Sequence, residues 1–413
     1  MKILVVTQYF WPENFRINDL VLGLMEHGHA VTVLTGKPNY PSGKFFTGYG
    51  FLGRWREKYH GADVRRVPLS PRGKGGGLRL FFNYVSFAVA ATMLGPFLCR
   101  DKYDIILVYE PSPITVGLPA LWFKKLRGVP VFLWVQDLWP ESLSATRAVR
   151  SAWVLRQVER LVRIIYTNCD RILVQSKAFF RPIEALGVEP ARIVYFPNSA
   201  EPLYQPMKSS SADRAQADVP DGFVVMFAGN IGVAQDFATI IQAAELLQSH
   251  ARIQWVVVGD GRMRPWLEVQ VKARGLSSNV HLLGKRPIET MPHLFSMADA
   301  MLVTLKKDPI FTFTIPSKVQ SYLACGRPIV ASLDGEGARV VQEAGAGLSV
   351  PAEDAAALAN AVLAMSQMDR EQREAMGGSG RSYFERNFQR DMLLERLDGW
   401  LHETLQRGSA CAS

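Results

Sequence analysis

Residues 222–261 read GFVVMFAGNIGVAQDFATIIQAAELLQSHARIQWVVVGDG. An apolar run at Val224–Phe227 leads into a GNIG turn at 229–232, which is followed by helical apolar spacing over Phe237–Gln248. A second apolar run, Gln254–Val258, ends in a GDG turn. Strands that are apolar throughout and alternate with helices are typical of a parallel sheet with both faces covered. The stretch therefore predicts a doubly wound α/β domain.

The same alternation extends in both directions from this stretch. Downstream it predicts a helix over Met263–Arg274 and strands at Val280–Leu282, Ala300–Val303 and Pro328–Ala331. Upstream it predicts a first series of strands at Ile3–Thr7, Val31–Thr35, Ile105–Tyr109, Val131–Val135, Arg171–Gln175 and Ile193–Phe196. Two such sheets in tandem predict a ligand cleft between their carboxyl ends, because doubly wound sheets bind ligands there.

The chain is long enough for two domains. It has 413 residues, 48% of them hydrophobic, and single domains usually hold about 100–200 residues. Residues 201–222 are rich in Pro, Ser and Asp and lack periodicity, so we predict that they form an interdomain linker. The domains are then an N-terminal Rossmann-like domain at 1–200 and a C-terminal one at 223–385. For residues 386–413 we predict a helix that packs back towards the first domain.

The charge of the chain is unevenly distributed. Residues 1–200 carry 26 Lys and Arg against 14 Asp and Glu, whereas the remaining residues carry 21 against 24. A basic half favours a polyanionic partner, either nucleic acid or an anionic membrane surface. No zinc-finger, RNP or helix-turn-helix signature accompanies the charge, so we expect a membrane rather than nucleic acid. A merely solvated basic surface is the alternative.

Cysteine usage and the N-terminus favour a cytoplasmic protein. The four cysteines, Cys99, Cys169, Cys325 and Cys411, are scattered without a CxxC pair. They predict neither a disulfide framework nor a zinc site, which fits a reducing compartment. The chain opens with MKILVV, a buried-strand pattern that predicts no signal peptide.

A series of motifs runs in order through residues 3–395. It comprises Pro12-Glu13, GHAVTV at 28–33, DLWPE at 137–141, Pro197-Asn198, GNIG at 229–232, GDG at 259–261, Leu283-Gly284 and LACGRP at 323–328. In order and spacing the series resembles the family-4 retaining glycosyltransferases. It is most similar to the bacterial branch that builds colanic acid, O-antigen and capsule repeats, which includes L-fucosamine transferases. The resemblance implies a GT-B fold, in which two Rossmann-like domains face each other across a cleft.

A nucleotide-sugar donor sets the chemistry expected of the second domain. Its diphosphate needs backbone N–H groups and a cation, and its sugar needs hydrogen-bond acceptors. The GNIG turn lies between a buried strand and a helix, where it can form a phosphate cradle. Ser317 and Lys318 open a helix and can bind and neutralise phosphate, and the resemblance places GDG and 284–286 beside the nucleotide. The predicted donor residues are Gly229, Asn230, Gly232, Gln235, Gly259, Asp260, Lys285, Arg286, Ser317, Lys318 and Ser321. Asp260 as a turn residue and Lys318 as a solvated residue are the alternatives.

The chain departs from the family pattern at several donor positions. Many relatives carry a glutamate pair in an E-x7-E motif, whereas this chain has Phe313 and Ser321 at those positions. The Arg and Lys of the usual phosphate loop are replaced by Asn230 and, approximately, Ala234-Gln235. We therefore expect Lys318 to meet most of the phosphate charge.

The acceptor is expected to bind the first domain. Relatives carry a His-Asp pair at a strand end where this chain has Gln136 and Asp137. Asp137 can orient or deprotonate the acceptor hydroxyl, or it can simply cap the next helix. Glu110, after another strand, is a second candidate for holding sugar hydroxyls. The predicted catalytic residues are Asp137, Glu110 and Lys318, and the predicted acceptor residues are Glu13, Asn14, Asn39, Tyr109 and Gln136.

One apolar segment bears on whether the protein is attached to a membrane. Leu78–Leu98 is nearly all apolar and follows the cations Arg65, Arg66, Arg72 and Lys74. The length could span a bilayer, but a span would split the first domain across the membrane. We expect an interfacial helix, with a buried helix as the alternative. A second basic helix at 149–166, with Arg150, Arg156, Arg160 and Arg163, supports the same face.

These features predict a retaining glycosyltransferase. The expected donor is a UDP-linked nucleotide sugar, with an N-acetylated amino or deoxyamino sugar as one candidate, and the expected acceptor is a polyprenyl-diphosphate-linked saccharide. We expect no cofactor and no metal: there is no Asp-x-Asp motif, and the nearest approach is DGE at 334–336. The protein is expected on the inner face of the cytoplasmic membrane. The alternatives are a GT-B UDP-sugar 2-epimerase, which would need poised histidines such as His281 or His293, and a non-catalytic two-domain binding protein.

Overall fold

The computed structural model of the protein describes residues 1–50, 53–73, 76–145 and 151–410. The chain folds into two units: unit 1 is Met1–Pro197 with Leu393–Ser413, and unit 2 is Asn198–Met392. Each unit contains one mainly or wholly parallel sheet with helices around it. The expected α/β class with two Rossmann-like domains is therefore confirmed.

Unit 1 contains, within the described residues, an eight-stranded sheet. Its strands are β1 (Lys2–Thr7), β2 (Ala30–Gly36), β3 (Arg56–Tyr59), β4 (Ala62–Val67), β5 (Ile105–Glu110), β6 (Val131–Val135), β7 (Arg171–Val174) and β8 (Ile193–Tyr195). The strand order is β3-β4-β2-β1-β5-β6-β7-β8. Only β3 pairs antiparallel, with β4. Because β1 and β5 are central, almost all of their side chains are buried.

Six helices cover this sheet in the described part of the first 197 residues. They are α1 (Arg16–Glu26), α2 (Gly77–Leu98), α3 (Gly117–Arg127), α4 (Glu141–Ala145), α5 (Ala152–Asn168) and α6 (Phe180–Ala185). The second basic helix therefore begins at Ala152 instead of 149. Arg150, which belonged to that prediction, lies outside the described residues.

The orientation of α2 follows from one buried stripe. Asn83, Phe87, Ala88, Ala91 and Gly95 recur every three or four residues and face the domain. The Asn83 side chain accepts a hydrogen bond from Gln8 Nε2 at 2.7 Å and donates to the Ser70 carbonyl at 2.6 Å. The opposite face of α2 is exposed. Among the described helices, α2 is the one long and apolar enough to cross a bilayer, and 28% of its apolar window is buried.

Unit 2 contains a six-stranded, wholly parallel sheet in its described residues. Its strands are β9 (Phe223–Ala228), β10 (Ile253–Val258), β11 (Val280–Gly284), β12 (Ala300–Thr304), β13 (Ile329–Ser332) and β14 (Gly347–Val350). The order is β11-β10-β9-β12-β13-β14. The order reverses between β9 and β12, and such a switch point is where open α/β sheets bind ligands.

The remaining helices run from the predicted linker to the C-terminus. They are α7 (Ser211–Gln216), α8 (Phe237–Leu246), α9 (Arg264–Ala273), α10 (Met291–Ser296), α11 (Pro309–Thr312), α12 (Ser317–Ala324), α13 (Glu336–Glu343), α14 (Ala355–Gln367), α15 (Arg370–Asn387) and α16 (Arg390–Ala410). The 201–222 segment belongs to unit 2 and forms α7, whose capping box joins Ser210 and Asp213. Arg214 of α7 pairs with Asp299 at 3.1 Å.

The C-terminal helix returns to unit 1. In α16, Leu394 packs on the Cα of Gly23, where a Cβ would meet its Cδ1 at 2.4 Å. Asp398 Oδ1 lies 2.7 Å from His29 Nε2, and Glu403 pairs with Arg171 of β7. These contacts attach the end of the chain to the first sheet.

Candidate functional site

A cavity of about 550 Å³ lies in unit 2 at the carboxyl ends of β9, β10 and β11. The turns after these strands line one side, and the opposite side is apolar. Six predicted donor residues line it: Gly229, Asn230, Gly259, Asp260, Lys285 and Arg286. A cavity that combines backbone-rich turns with an apolar wall has the size and lining of a small-molecule site.

Two glycine turns interlock at the floor of this cavity. Gly229 has φ +138° and Gly259 has φ +146°, a region that favours glycine. A Cβ at Gly259 would lie 1.9 Å from the carbonyl oxygen of Gly229, and a Cβ at Gly261 would lie 2.4 Å from that of Ile231. No side chain fits at either position, so the floor presents bare backbone to a ligand.

Most N–H groups of the GNIG turn already have acceptors. The Gly229 N–H donates to the Val258 carbonyl and the Ile231 N–H to the Asp260 carbonyl, both at 2.8 Å. The Gly232 N–H donates to Gln235 Oε1 at 3.1 Å. In this conformation Gly232 and Gln235 satisfy each other, so a phosphate cradle formed by this turn stays a prediction. A 3-10 turn at Val233–Gln235 also separates the glycines from α8.

Lys318 brings a cation to the same floor. From the first turn of α12, its Cε would lie 2.6 Å from a Cβ on Gly229. Its Nζ is 4.7 Å from the ring centroid of Phe227. Within the described residues no carboxylate lies within 4 Å of Nζ, and no hydrogen-bond acceptor reaches it. Burial lowers the pKa of Lys318 to about 8. A half-buried cation without a partner is unfavourable unless a ligand supplies negative charge.

The start of α12 supplies further donors. Ser317 is exposed and Pro316, the residue before it, provides no side-chain cap. The first N–H groups of a helix have no acceptor inside the helix, so Ser317 and Lys318 offer theirs to a ligand. Ser321, by contrast, is buried and donates its hydroxyl to the Ser317 carbonyl at 3.2 Å. This hydrogen bond stabilises α12. Phe313, at the other position of the usual glutamate pair, is the C-terminal cap residue of α11.

The charged residues at the rim have different roles. Asp260 is exposed, and its Oδ1 accepts the Gly261 N–H at 2.8 Å. This bond supports the turn-residue alternative for Asp260. Arg286 Nη2 donates to Asp218 at 3.2 Å, whereas Lys285 is exposed at the mouth of the cavity. Among the described residues, no group of three His, Cys, Asp or Glu side chains is placed to hold a metal ion.

In unit 1, Glu110 ends β5 and is completely buried. Neither carboxyl oxygen has a hydrogen-bond partner among the described residues. Burial, and then the nearby Asp137 carboxylate, raise the pKa of Glu110 well above its usual range. Burial without hydrogen-bond partners disfavours the charged form of a carboxyl group. The role predicted for Glu110, holding sugar hydroxyls directly, requires an access that this conformation does not give.

Asp137 is half-buried just beyond β6. Its Oδ1 accepts a hydrogen bond from the Ser142 hydroxyl, in the short helix α4. Burial raises the pKa of Asp137, and the Ser142 bond partly offsets that rise. Asp137 therefore bonds a side chain of α4. The neighbouring Gln136 is half-buried, and its N–H donates to the Glu110 carbonyl at 2.9 Å.

Tyr109 is part of the core instead of a binding surface. Its ring packs against Trp134 at a centroid distance of 5.2 Å, and 3% of the residue is exposed. Tyr166, also completely buried, has a hydroxyl without a partner among the described residues. Burial and then Glu110 raise the pKa of Tyr166. The Tyr166 hydroxyl lies near the Glu110 carboxyl.

Glu13 and Asn39 join the first two βα loops. Glu13 Oε1 accepts the N–H groups of Asn39 and Tyr40, each at 2.7 Å, and Oε2 accepts that of Phe10 at 3.3 Å. Burial raises the pKa of Glu13 to about 7, and these three bonds act against that rise. The Asn39 side chain bonds the Lys37 carbonyl and the Arg72 N–H. Both residues have a structural role, and the predicted acceptor contact of Glu13 is replaced by these bonds. Asn14 is exposed.

Several cavity residues were absent from the sequence prediction. Tyr204 stacks on Phe295 with a centroid distance of 5.8 Å and an interplanar angle of 5°. Together with Ile288 and Met291 they form the apolar wall. Tyr204 lies in the segment assigned to the linker, where periodicity carries no information. An aromatic residue in a polar segment was the one available signal.

Sequence models of two glycosyltransferase families match most of the chain. The "Glycosyl transferase 4-like domain" matches residues 14–199, and "Glycosyl transferases group 1" matches residues 222–368. The chain therefore belongs to the family-4 glycosyltransferases of GT-B fold, and it is a glycosyltransferase. The resemblance noted in the sequence is confirmed.

Two curated relatives are similar over most of their length. The chain is 27% identical to a "Putative colanic acid biosynthesis glycosyl transferase WcaI" of Escherichia coli K12 over 79% of this chain and 82% of the relative. It is 28% identical to a "Probable glycosyltransferase WbjE" of Pseudomonas aeruginosa over 78% of both.

Solved structures share the fold at low sequence identity. Anabaena Alr3699/HepE, crystallised with UDP, is 17% identical with a TM-score of 0.71 and covers 98% of this chain and 100% of its own. A sucrose-phosphate synthase from Thermosynechococcus elongatus is 18% identical with a TM-score of 0.72, covering 100% and 99%. These likenesses confirm the fold.

Proposed function

We propose that the protein transfers a sugar, with retention of anomeric configuration, from a UDP-linked donor to a lipid-diphosphate-linked saccharide in bacterial surface polysaccharide biosynthesis. The observation that carries the proposal is the cavity floor in unit 2, where bare backbone of Gly229 and Gly259 meets the unpartnered ammonium of Lys318. The names of the relatives, one of which concerns colanic acid, support the polysaccharide pathway.

The floor has the chemistry of a diphosphate site. The Lys318 side chain lies against Gly229, and Lys318 belongs to the first turn of α12, whose N–H groups have no acceptor inside the helix. Charge-assisted hydrogen bonds to phosphate are among the strongest in proteins. The stacked Tyr204 and Phe295 on the apolar wall suit a planar nucleobase. UDP in the HepE crystal structures supports a uridine nucleotide.

The phosphate charge is met by Lys318 and helix N–H groups, so we propose transfer without a bound metal. In a front-face retaining reaction the departing phosphate can take the acceptor proton, and no protein nucleophile is needed. Asp137 is the group in unit 1 that can still orient the acceptor hydroxyl, because it is only half-buried. The buried Glu110 lies behind it, and burial together with the Asp137 carboxylate raises the pKa of Glu110.

The exposed face of α2 supports attachment to the inner face of the cytoplasmic membrane. Phe81 and Phe82 are 57% and 53% exposed, and Phe97 is 66% exposed. Burying such residues in the interfacial region favours binding, and basic residues add attraction to anionic lipid. Exposed Trp153 and Ile164 on α5 extend the apolar surface of unit 1.

The predicted basic cluster before α2 needs one correction. Arg66 is completely buried and donates to Glu57 Oε1 at 2.6 Å and to the Gly36 carbonyl at 2.9 Å. It cannot meet lipid phosphates. Arg65 is mostly buried, with 17% of its side chain exposed, and Lys74 lies outside the described residues. Arg72 and Arg79 are the remaining cations before the apolar face.

No observation favours the epimerase alternative. His281 Nε2 lies 2.6 Å from Gln254 Oε1, and burial lowers the pKa of His281. His293 Nε2 lies 3.7 Å from Asp213. Neither histidine lines the cavity at the strand ends.

Incubation of the purified protein with a panel of radiolabelled nucleotide sugars and a bacterial membrane extract tests the proposal. Label that moves into the lipid fraction supports transfer. Label that remains on an altered nucleotide sugar would support epimerisation instead, and binding of UDP without turnover would leave only a binding protein.

A further inference from the structure

An aromatic cluster lies at the carboxyl edge of the unit 1 sheet, next to Glu13 and Asn39, whose hydrogen bonds hold the first two βα loops. Tyr9 follows β1, Phe15 precedes α1 and Tyr40 follows β2. The rings of Tyr9 and Phe15 are stacked, with centroids 5.0 Å apart and planes 14° apart. Tyr40 lies 5.3 Å from Phe15 and 6.0 Å from Tyr9. Three loops thus contribute to one platform.

The platform has an open side. Tyr9 is 2% exposed and forms the base, whereas Tyr40 is 40% exposed and Phe15 is half-buried. The exposed part of Tyr40 leaves room for a ligand at the edge of the cluster. The face of an aromatic ring carries partial negative charge, so it attracts the C–H groups of a sugar ring placed over it.

A cation sits against the platform. The guanidinium carbon of Arg72 is 5.6 Å from the ring centroid of Tyr9 and 5.2 Å from that of Tyr40. Its Nη1 donates to the Tyr9 hydroxyl at 2.7 Å. No carboxylate lies within 4 Å of it among the described residues, and its Nε and Nη2 have no acceptor there. Two guanidinium nitrogens therefore remain for an anion.

A second cation, Arg79 of α2, lies against the residue that follows Arg72. The Arg79 guanidinium packs on Gly73, where a Cβ would meet its Nη1 at 2.5 Å. Arg79 is exposed and has no ion pair within the described part of the chain. It lies on the first turn of α2, three residues before the exposed Phe82, which is a neighbouring position on a helix surface. Platform, cations and apolar helix face follow one another in that order along unit 1.

We propose that these groups form the subsite for the lipid-diphosphate end of the acceptor. The saccharide stacks on Tyr40 and Phe15, Arg72 and Arg79 bind the diphosphate, and the lipid chain leaves along the Phe82 face of α2. This assignment deepens the proposed function and rests on it for the identity of the acceptor. It replaces Glu13 and Asn39, which hold the loops, with residues that have an open side.

Farnesyl diphosphate dispersed in neutral phosphatidylcholine vesicles is a suitable probe. Binding is measured by calorimetry for wild type, Arg79→Gln and Lys102→Gln. Lys102 is a matched control, because it is an exposed cation of unit 1 at the opposite end of the sheet, before β5. We expect Arg79→Gln to weaken binding about tenfold, as loss of one charge-assisted contact predicts, and Lys102→Gln to leave it unchanged. Farnesol should not bind detectably in either case.

Tyr40 tests the saccharide part through kinetics. With a membrane extract as the source of acceptor, Tyr40→Ala should raise the apparent acceptor KM several-fold and leave UDP affinity unchanged. Tyr40→Phe keeps the ring and should restore the wild-type KM. Because Tyr40 is exposed, these variants are expected to fold.

Two outcomes would overturn the subsite. One is equal farnesyl diphosphate affinity for Arg79→Gln and wild type. The other is loss of binding by Arg79→Gln only to phosphatidylglycerol vesicles without prenyl diphosphate, which would assign Arg79 to general lipid attraction. Failure of the proposed function has a different signature: wild type would bind farnesyl diphosphate through Arg79 but transfer no label to lipid.

Discussion

Replacing Lys318 with methionine removes the unpartnered ammonium and keeps an unbranched side chain. Burial lowers the pKa of Lys318 from 10.5 to about 8 in the unliganded protein. At roughly 1.4 kcal/mol per pKa unit, this shift limits the cost of the buried charge to about 3 kcal/mol. Because the side chain is only half-buried, we expect Lys318→Met to raise the free energy of unfolding by roughly 1–3 kcal/mol at pH 7. Urea denaturation without nucleotide measures this gain.

The pH dependence of stability gives an independent check. Between pH 8 and 10.5 the unfolded chain holds the Lys318 proton more tightly than the folded protein does. Stability of the wild type should therefore rise with pH across that window, and the cost should be fully present below it. The Lys318→Met variant should lack this contribution.

The same change should weaken donor binding. Loss of one charge-assisted contact to phosphate costs about 1.5–3 kcal/mol, which is roughly a tenfold to hundredfold loss of UDP affinity by calorimetry. The UDP affinity of the wild type should also fall above about pH 8, because the neutral amine no longer attracts phosphate.

Lys272→Met is the matched control. Lys272 is an exposed lysine on α9, with no ion pair among the described residues. Its replacement should change neither stability nor UDP affinity appreciably. If Lys318→Met bound UDP as tightly as the wild type, or lost stability, the reasoning would be refuted.

Three further results are expected. Transfer activity should persist in excess EDTA, and strict Mg²⁺ dependence would contradict the proposed role of Lys318. The double change Phe81→Ser and Phe82→Ser should abolish binding to anionic vesicles in a flotation assay and leave UDP binding intact. By contrast, Phe87 is completely buried, so Phe87→Ser should destabilise unit 1 by about 3–5 kcal/mol. Glu13→Ala should lower stability in urea by several kcal/mol, since three N–H groups lose their acceptor at about 1–3 kcal/mol each; unchanged stability together with a raised acceptor KM would instead restore the acceptor role of Glu13.

The sequence predicted the strands that form continuous apolar runs. Buried parallel strands such as β1 and β10 are apolar throughout, so their existence and approximate bounds follow from pattern alone. The β3–β4 hairpin was missed, because its residues include Arg56, Lys58, Arg65 and Arg66. Those charges are accommodated by a tertiary contact, the ion pair between Arg66 and Glu57, which no local pattern encodes.

In the candidate site, too, the features set by local sequence were predictable and those set by tertiary contacts were not. The glycine turns at 229–232 and 259–261 were predictable because tight backbone approach requires glycine. The structural role of Glu13 was not predictable, because its hydrogen-bond partners Asn39 and Tyr40 lie 26 and 27 residues away in the sequence. Likewise, the orientation of α2 depends on Asn83, which bonds a residue 75 positions earlier. Phe87 lies in the segment that was expected to be interfacial, but it is completely buried, unlike Phe81 and Phe82.

The most direct test of glycosyl transfer is a two-product measurement on the purified protein. The protein is incubated with a UDP-sugar labelled in the sugar and a lipid extract of bacterial membranes, and free UDP and lipid-borne label are measured together. Our account predicts equal amounts of UDP and labelled lipid, both reduced by Lys318→Met. UDP release without labelled lipid would indicate hydrolysis, and label retained in a nucleotide sugar would contradict transfer.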